Sequence, residues 1–134
     1  MMSENELSLS ELESLARQEN VHGKTVDCLL ALQSDDEEVR TWAAEVLSGS
    51  VEPTADEEEE MAGLLETVLY EGEDGESWSP LASDQLYWTA TMLGRLPQID
   101  ASTAKVLQEL ADTSFDALAS AAKRARSVLG RLGK

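Results

Sequence analysis

Cys28 and His22 are the pairing in this sequence that most resembles a nucleophile and its base, a thiol six residues from the chain's only imidazole. A catalytic thiolate also needs a group that orients the base and donors for an oxyanion, and the flanking residues supply no recognisable form of either. With one histidine and one cysteine, a zinc site built from several imidazoles or thiolates is excluded. Cys28 is therefore expected as a small core residue, and His22 as a turn residue near a helix end. The carboxylates are the next candidates. The runs Asp35-Asp36-Glu37-Glu38 and Asp56-Glu57-Glu58-Glu59-Glu60 both fall where helices are expected to begin, and there negative charge stabilises the helix dipole. Glu71-Gly72-Glu73-Asp74-Gly75-Glu76 is rich in oxygen but lacks the ligand spacing of a calcium loop. No acid lies inside an apolar stretch that would raise its pKa for proton transfer. The glycines stand singly near helix ends and do not form a phosphate-binding loop. The sequence thus predicts no catalytic residue, no metal ligand set and no cofactor.

The elements that carry these residues are helical throughout. Ser8-Leu9-Ser10-Glu11 has the form of a capping box and predicts a first helix to about Gln18, which the Asn20 to Gly23 stretch breaks. A second helix carries Val26, Cys28, Leu29 and Leu30 and runs to Gln33. Ser34-Asp35-Asp36-Glu37 opens a third, with Val39, Trp42, Ala43 and Val46 on its apolar face and Glu38, Thr41 and Glu45 turned away, and Gly49 ends it. Thr54-Ala55-Asp56-Glu57 opens a fourth, with Met61, Leu64, Leu65, Val68 and Leu69 as its stripe. Glu71 to Pro80 has no periodicity and predicts the longest loop, with Trp78 as an apolar residue lacking a core position. Asp84 to Leu96 predicts a fifth helix stopped by Pro97, with Trp88 on the side of Thr91 and Arg95. Ala101 to Asp112 predicts a sixth. The seventh, from about Phe115 to Leu132, buries Leu118, Ala122, Ala125 and Leu129 and sets Lys123, Arg124, Ser127 and Arg131 along the opposite side as a basic stripe. Leu93-Gly94-Arg95-Leu96 recurs as Leu129-Gly130-Arg131-Leu132, so two helical patterns close on one phrase. Such recurrence predicts helix pairs that bury their apolar faces on one another.

Composition sets the partners. A chain of 134 residues predicts one domain, spanning 1–134, with 42% hydrophobic but only 4% aromatic residues, hence a close-packed aliphatic core. The net charge is −17, yet half of the ten basic residues fall after residue 122, where no acid remains. An acidic body repels phosphate backbones and anionic lipid, so nucleic acid and membrane surfaces are disfavoured and a protein with a basic surface is the expected partner. The basic end against an acidic body also permits head-to-tail self-association. A single cysteine, no apolar run long enough to span a bilayer and an N-terminal stretch without a basic-then-apolar pattern predict a soluble cytoplasmic protein.

The segment Leu29-Leu30-Ala31-Leu32-Gln33-Ser34-Asp35-Asp36-Glu37-Glu38-Val39-Arg40, followed by Ala43-Ala44 and Leu47, resembles the HEAT-repeat consensus. Met61 to Leu69 with Leu86 to Leu96, and Val106 to Ala111 with Leu118 to Leu132, look like diverged copies. Tyr87 stands beside Leu86 where the family would have arginine. The resemblance implies an all-α, HEAT-like superhelix of about three helix pairs after an N-terminal helix. It also implies that Val39 packs inward, and that Arg40 pairs with Asp35 or Asp36. A non-enzymatic protein-interaction scaffold or adaptor follows, with the second helix of each pair lining the concave side. On that basis Glu38, Thr41, Glu45, Tyr87, Trp88 and Arg95 are the candidate contact residues. Two other readings stay open: an acidic inhibitor of a basic enzyme such as a nuclease, and an accessory factor resembling the HEAT-like lyases that attach pigments to antenna proteins.

Overall fold

The computed structural model describes residues 9–18, 21, 23–49, 51–75, 78–113 and 115–132. His22, Ser8 and the start of the first capping box lie outside them. Among the described residues seven α-helices follow in order: α1 (Leu9–Ala16), α2 (Thr25–Ala31), α3 (Glu37–Ser48), α4 (Glu58–Gly75), α5 (Pro80–Leu93), α6 (Ala101–Ala111) and α7 (Ala119–Leu132), with 3-10 turns leading into α4 and α7. No strand occurs among the described residues, where Val21 and Val51 form an isolated parallel bridge. The protein is all-α. No described helix is long and apolar enough to cross a membrane.

The apolar periodicity becomes a core of aliphatic side chains. Leu12, Leu29, Leu47, Met61, Leu65, Leu69, Leu86, Leu107 and Leu118 are fully buried, and Cys28 lies among them. Burial pushes the Cys28 thiol up to about 12, helped by the nearby negative charges of Asp27 and Glu57. A thiol in that setting stays protonated and packs as a small apolar group. Successive helices pack as the pairs α2 with α3, α4 with α5 and α6 with α7. The last two pairs stack in register, α4 on α6 and α5 on α7, whereas α2 packs across onto α5 and α1 leans on α3. Buried Gln85 secures that crossing by donating from Nε2 to the Leu29 carbonyl at 2.9 Å, which satisfies a backbone acceptor near the end of α2.

Several expectations change. The Glu71 to Pro80 segment is mostly helix: α4 continues to Gly75, and α5 begins at Pro80, ahead of the predicted Asp84. Its start is fixed by Ser79, whose hydroxyl accepts from the Ala82 amide at 3.1 Å, with proline at the first helical position. Trp78 then turns inward, 8% exposed, with its ring 4.7 Å from that of Phe115. Gly72 makes room for it, since a Cβ there would lie 1.8 Å from the indole nitrogen. The cap of α3 is Asp36 rather than Ser34, its carboxylate accepting from the Glu38 amide at 3.0 Å. Arg40 donates to the Ser34 carbonyl at 2.6 Å instead of pairing with Asp35 or Asp36.

The acidic run before α4 also does more than sit on its own helix dipole. Glu57 closes the predicted capping box with Thr54, accepting from its amide at 2.9 Å, while its other oxygen accepts from the Thr25 amide at the start of α2, also at 2.9 Å. Glu58 reaches the start of α6, accepting from the Asp100 amide and the Thr103 hydroxyl, each at 2.7 Å. Both carboxylates are buried; Glu57 uses both oxygens and Glu58 one, and each accepts from a backbone amide at or next to a helix start, which the helix itself leaves unpaired.

Candidate binding site

α5 and α7 are joined closely enough at one end that a Cβ on Gly94 would lie 2.6 Å from a methyl of Val128 and 3.0 Å from the Arg131 guanidinium. Next to this contact lies a cleft of about 360 Å³, lined by Tyr87, Trp88, Thr91 and Arg95 from α5 and the turn after it, by Arg124, Ser127, Val128 and Arg131 from α7, and by Ser48. A second depression of about 330 Å³ lies alongside, lined by Lys123 and Ser120 and sharing Tyr87, Arg124 and Ser127 with the first. The repeated Leu-Gly-Arg-Leu phrase therefore has a spatial meaning. Its two arginines, Arg95 and Arg131, come from the ends of different helices to one cleft.

Local geometry fixes the walls. Tyr87 and Trp88 meet edge to face, their centroids 5.3 Å apart with planes at 87°. Arg124 stands over the Tyr87 ring, 5.2 Å from its centroid, and donates from Nη2 to the phenol oxygen at 2.9 Å. The Thr91 hydroxyl donates to the Tyr87 carbonyl at 2.8 Å and so is committed within its own helix. Arg95 donates from Nη1 to the Val51 carbonyl at 2.9 Å, and the amide of Glu52 donates to the Val21 carbonyl at 2.8 Å. Arg95 thereby pins the connection between α3 and α4 to the rim. Partial burial and the like charge of Arg124 both lower the pKa of Arg95, which stays charged because guanidinium titrates so high.

Of the sequence-predicted contact residues, Tyr87, Trp88 and Arg95 converge on this cleft. Glu38, Thr41 and Glu45 do not line it. They are exposed on α3, and their spacing continues to Ser48, which reaches the cleft edge. Sequence reasoning missed Arg124 and Arg131 as partners of the α5 residues, although it placed both on a basic stripe; the signal for Arg131 was the shared arginine of the repeated phrase. Among the described residues no carboxylate pairs with Arg95, Arg124 or Arg131, and no group of histidine, cysteine and acidic side chains is arranged to hold a metal ion. The arrangement can bind anions and stack on planar or apolar groups; it has no nucleophile and base in mutual reach. No family model, no curated protein and no solved structure matches this chain.

Proposed function

We propose that this chain is a non-enzymatic protein-binding scaffold, a single HEAT-like array of helix pairs that engages its partner through the α5–α7 cleft and the adjoining α3 stripe. The observation that carries the reading is the cleft itself, where three guanidiniums, paired with no carboxylate among the described residues, stand beside two half-buried aromatic rings. Arginine, tyrosine and tryptophan are the side chains that dominate binding energy at protein interfaces, and here they are concentrated in one concavity. The in-register stacking of the last two helix pairs supports the HEAT-like reading, with α5 and α7 as second helices lining the concave side. The exposed Glu38, Thr41 and Glu45, on the α3 stripe that ends at Ser48, suit a basic patch on the same partner.

A photo-reactive aromatic residue at position 88 tests the reading. Irradiation in cell extract is expected to join the protein to a discrete partner, whereas the same group at position 105, exposed on α6, is expected to join it to none. Equal yields at both positions, or none at position 88, would remove the cleft from the account.

A further inference from the structure

We infer that the α5–α7 cleft accepts a short acidic segment of a partner protein, two or more carboxylates held on the arginines with the neighbouring chain laid on Trp88; this rests on the protein-binding reading above. The charge distribution is the first argument. The sequence has 27 acidic residues and 10 basic ones, so intramolecular counter-ions are plentiful, yet Arg95, Arg124 and Arg131 surround the cleft without one among the described residues. Arg95 and Arg124 repel one another there. An anion placed between them relieves that repulsion and meets guanidiniums that line the cleft, whose planar geometry matches carboxylates.

The cleft also says how large the anion is. Two depressions share Tyr87 and Arg124, so Arg124 can serve charges on both sides, with Arg95 and Arg131 completing one and Lys123 the other. That is room for adjacent acidic side chains on one strand of peptide. A long polyanion is disfavoured, because beyond roughly 8 Å, the screening length at physiological salt, the attraction of the cleft fades and the acidic body around it repels. Trp88, half-buried and edge-on to Tyr87, offers apolar area that a bare inorganic anion cannot use.

The test is fluorescence anisotropy of a hexaglutamate peptide carrying a neutral dye, titrated with the full chain. Hexaglutamate is expected to bind at least about tenfold more tightly than hexaglutamine. Arg131→Ala, at an exposed position, is expected to weaken it roughly fivefold, as loss of one partly solvated ion pair does. Lys105→Ala, which removes the same charge from α6, is expected to change it less than about twofold. Trp88→Ala is expected to weaken it further than Lys105→Ala. Equal losses from Arg131→Ala and Lys105→Ala would overturn the proposal as unspecific charge attraction. So would displacement of the peptide by inorganic phosphate or a short single-stranded oligonucleotide at matched ionic strength, which would reassign the site to phosphate. Failure of hexaglutamate to bind while position 88 still joins a partner would reject the acidic occupant and leave the protein-binding reading standing.

Discussion

The start of α4 and the cleft between α5 and α7 hold opposite charges in opposite states. Glu57 and Glu58 are buried, with 7% and 9% of their surface left, and their oxygens accept from backbone amides and hydroxyls of α2, α6 and the Thr54 turn. Among the described residues Arg95, Arg124 and Arg131 have few intramolecular acceptors, a carbonyl for Arg95 and a phenol oxygen for Arg124. A buried charge survives only when its donors or acceptors are supplied within the molecule, and its removal leaves those partners unpaired. A half-exposed charge without a counter-ion contributes little to the fold and remains available to something outside. The carboxylates are joints between helices; the guanidiniums are the proposed point of contact.

Mutations should divide along this line. Glu58→Ala is expected to cost the most, about 3 kcal/mol, because it leaves the part-buried Asp100 amide and the buried Thr103 hydroxyl unpaired; denaturant unfolding measures it. Glu57→Ala should cost about 2 kcal/mol and fray the start of α2, which hydrogen exchange at the Thr25 amide would register. If either change is neutral, the carboxylates are not joints. Arg95→Ala should cost about 1 kcal/mol through loss of the bond to Val51. Arg131→Ala should leave the unfolding midpoint nearly unchanged, within about 0.5 kcal/mol. A large loss from Arg131→Ala would erase the comparison.

The acidic side also has a pH signature. Cys28 is held protonated well above its ordinary value of 9.0, partly by Glu57, so the folded state keeps a proton that the unfolded state releases. That contribution to stability is complete below about pH 9 and is lost as pH rises toward 12. Cys28→Ala should flatten this part of the alkaline unfolding profile, whatever it costs at neutral pH.

The helices were legible because 3.6-residue periodicity and capping residues are local signals. Thr54 and Glu57 announced their box, and Met61, Leu65, Leu69 and Leu118 announced the core. What the sequence hid were long-range partnerships. Nothing local says that Glu57 reaches Thr25 or that Glu58 reaches Asp100, since these pairs are 32 and 42 residues apart. Trp78 was misplaced because its neighbours Glu71 to Pro80 read as loop by composition. In the fold Gly72 opens a slot for the indole, and Ser79-Pro80 starts α5 directly after it. Tyr87, Trp88 and Arg95 could be picked from one helix, whereas Arg124 and Arg131 join them only once α7 packs on α5.

The most direct test of the contrast is an amide chemical-shift map of the isotopically labelled protein titrated with hexaglutamate. The expected result is a compact set of shifts at Tyr87, Trp88, Thr91, Arg95 and Ser127, together with the Trp88 indole, while the Thr25 and Asp100 amides held by Glu57 and Glu58 stay in place. Shifts at Thr25 and Asp100 as large as those at Trp88, or a scatter over α4 and α6 with none in the cleft, would contradict the division between charges that hold the fold and charges that face outward.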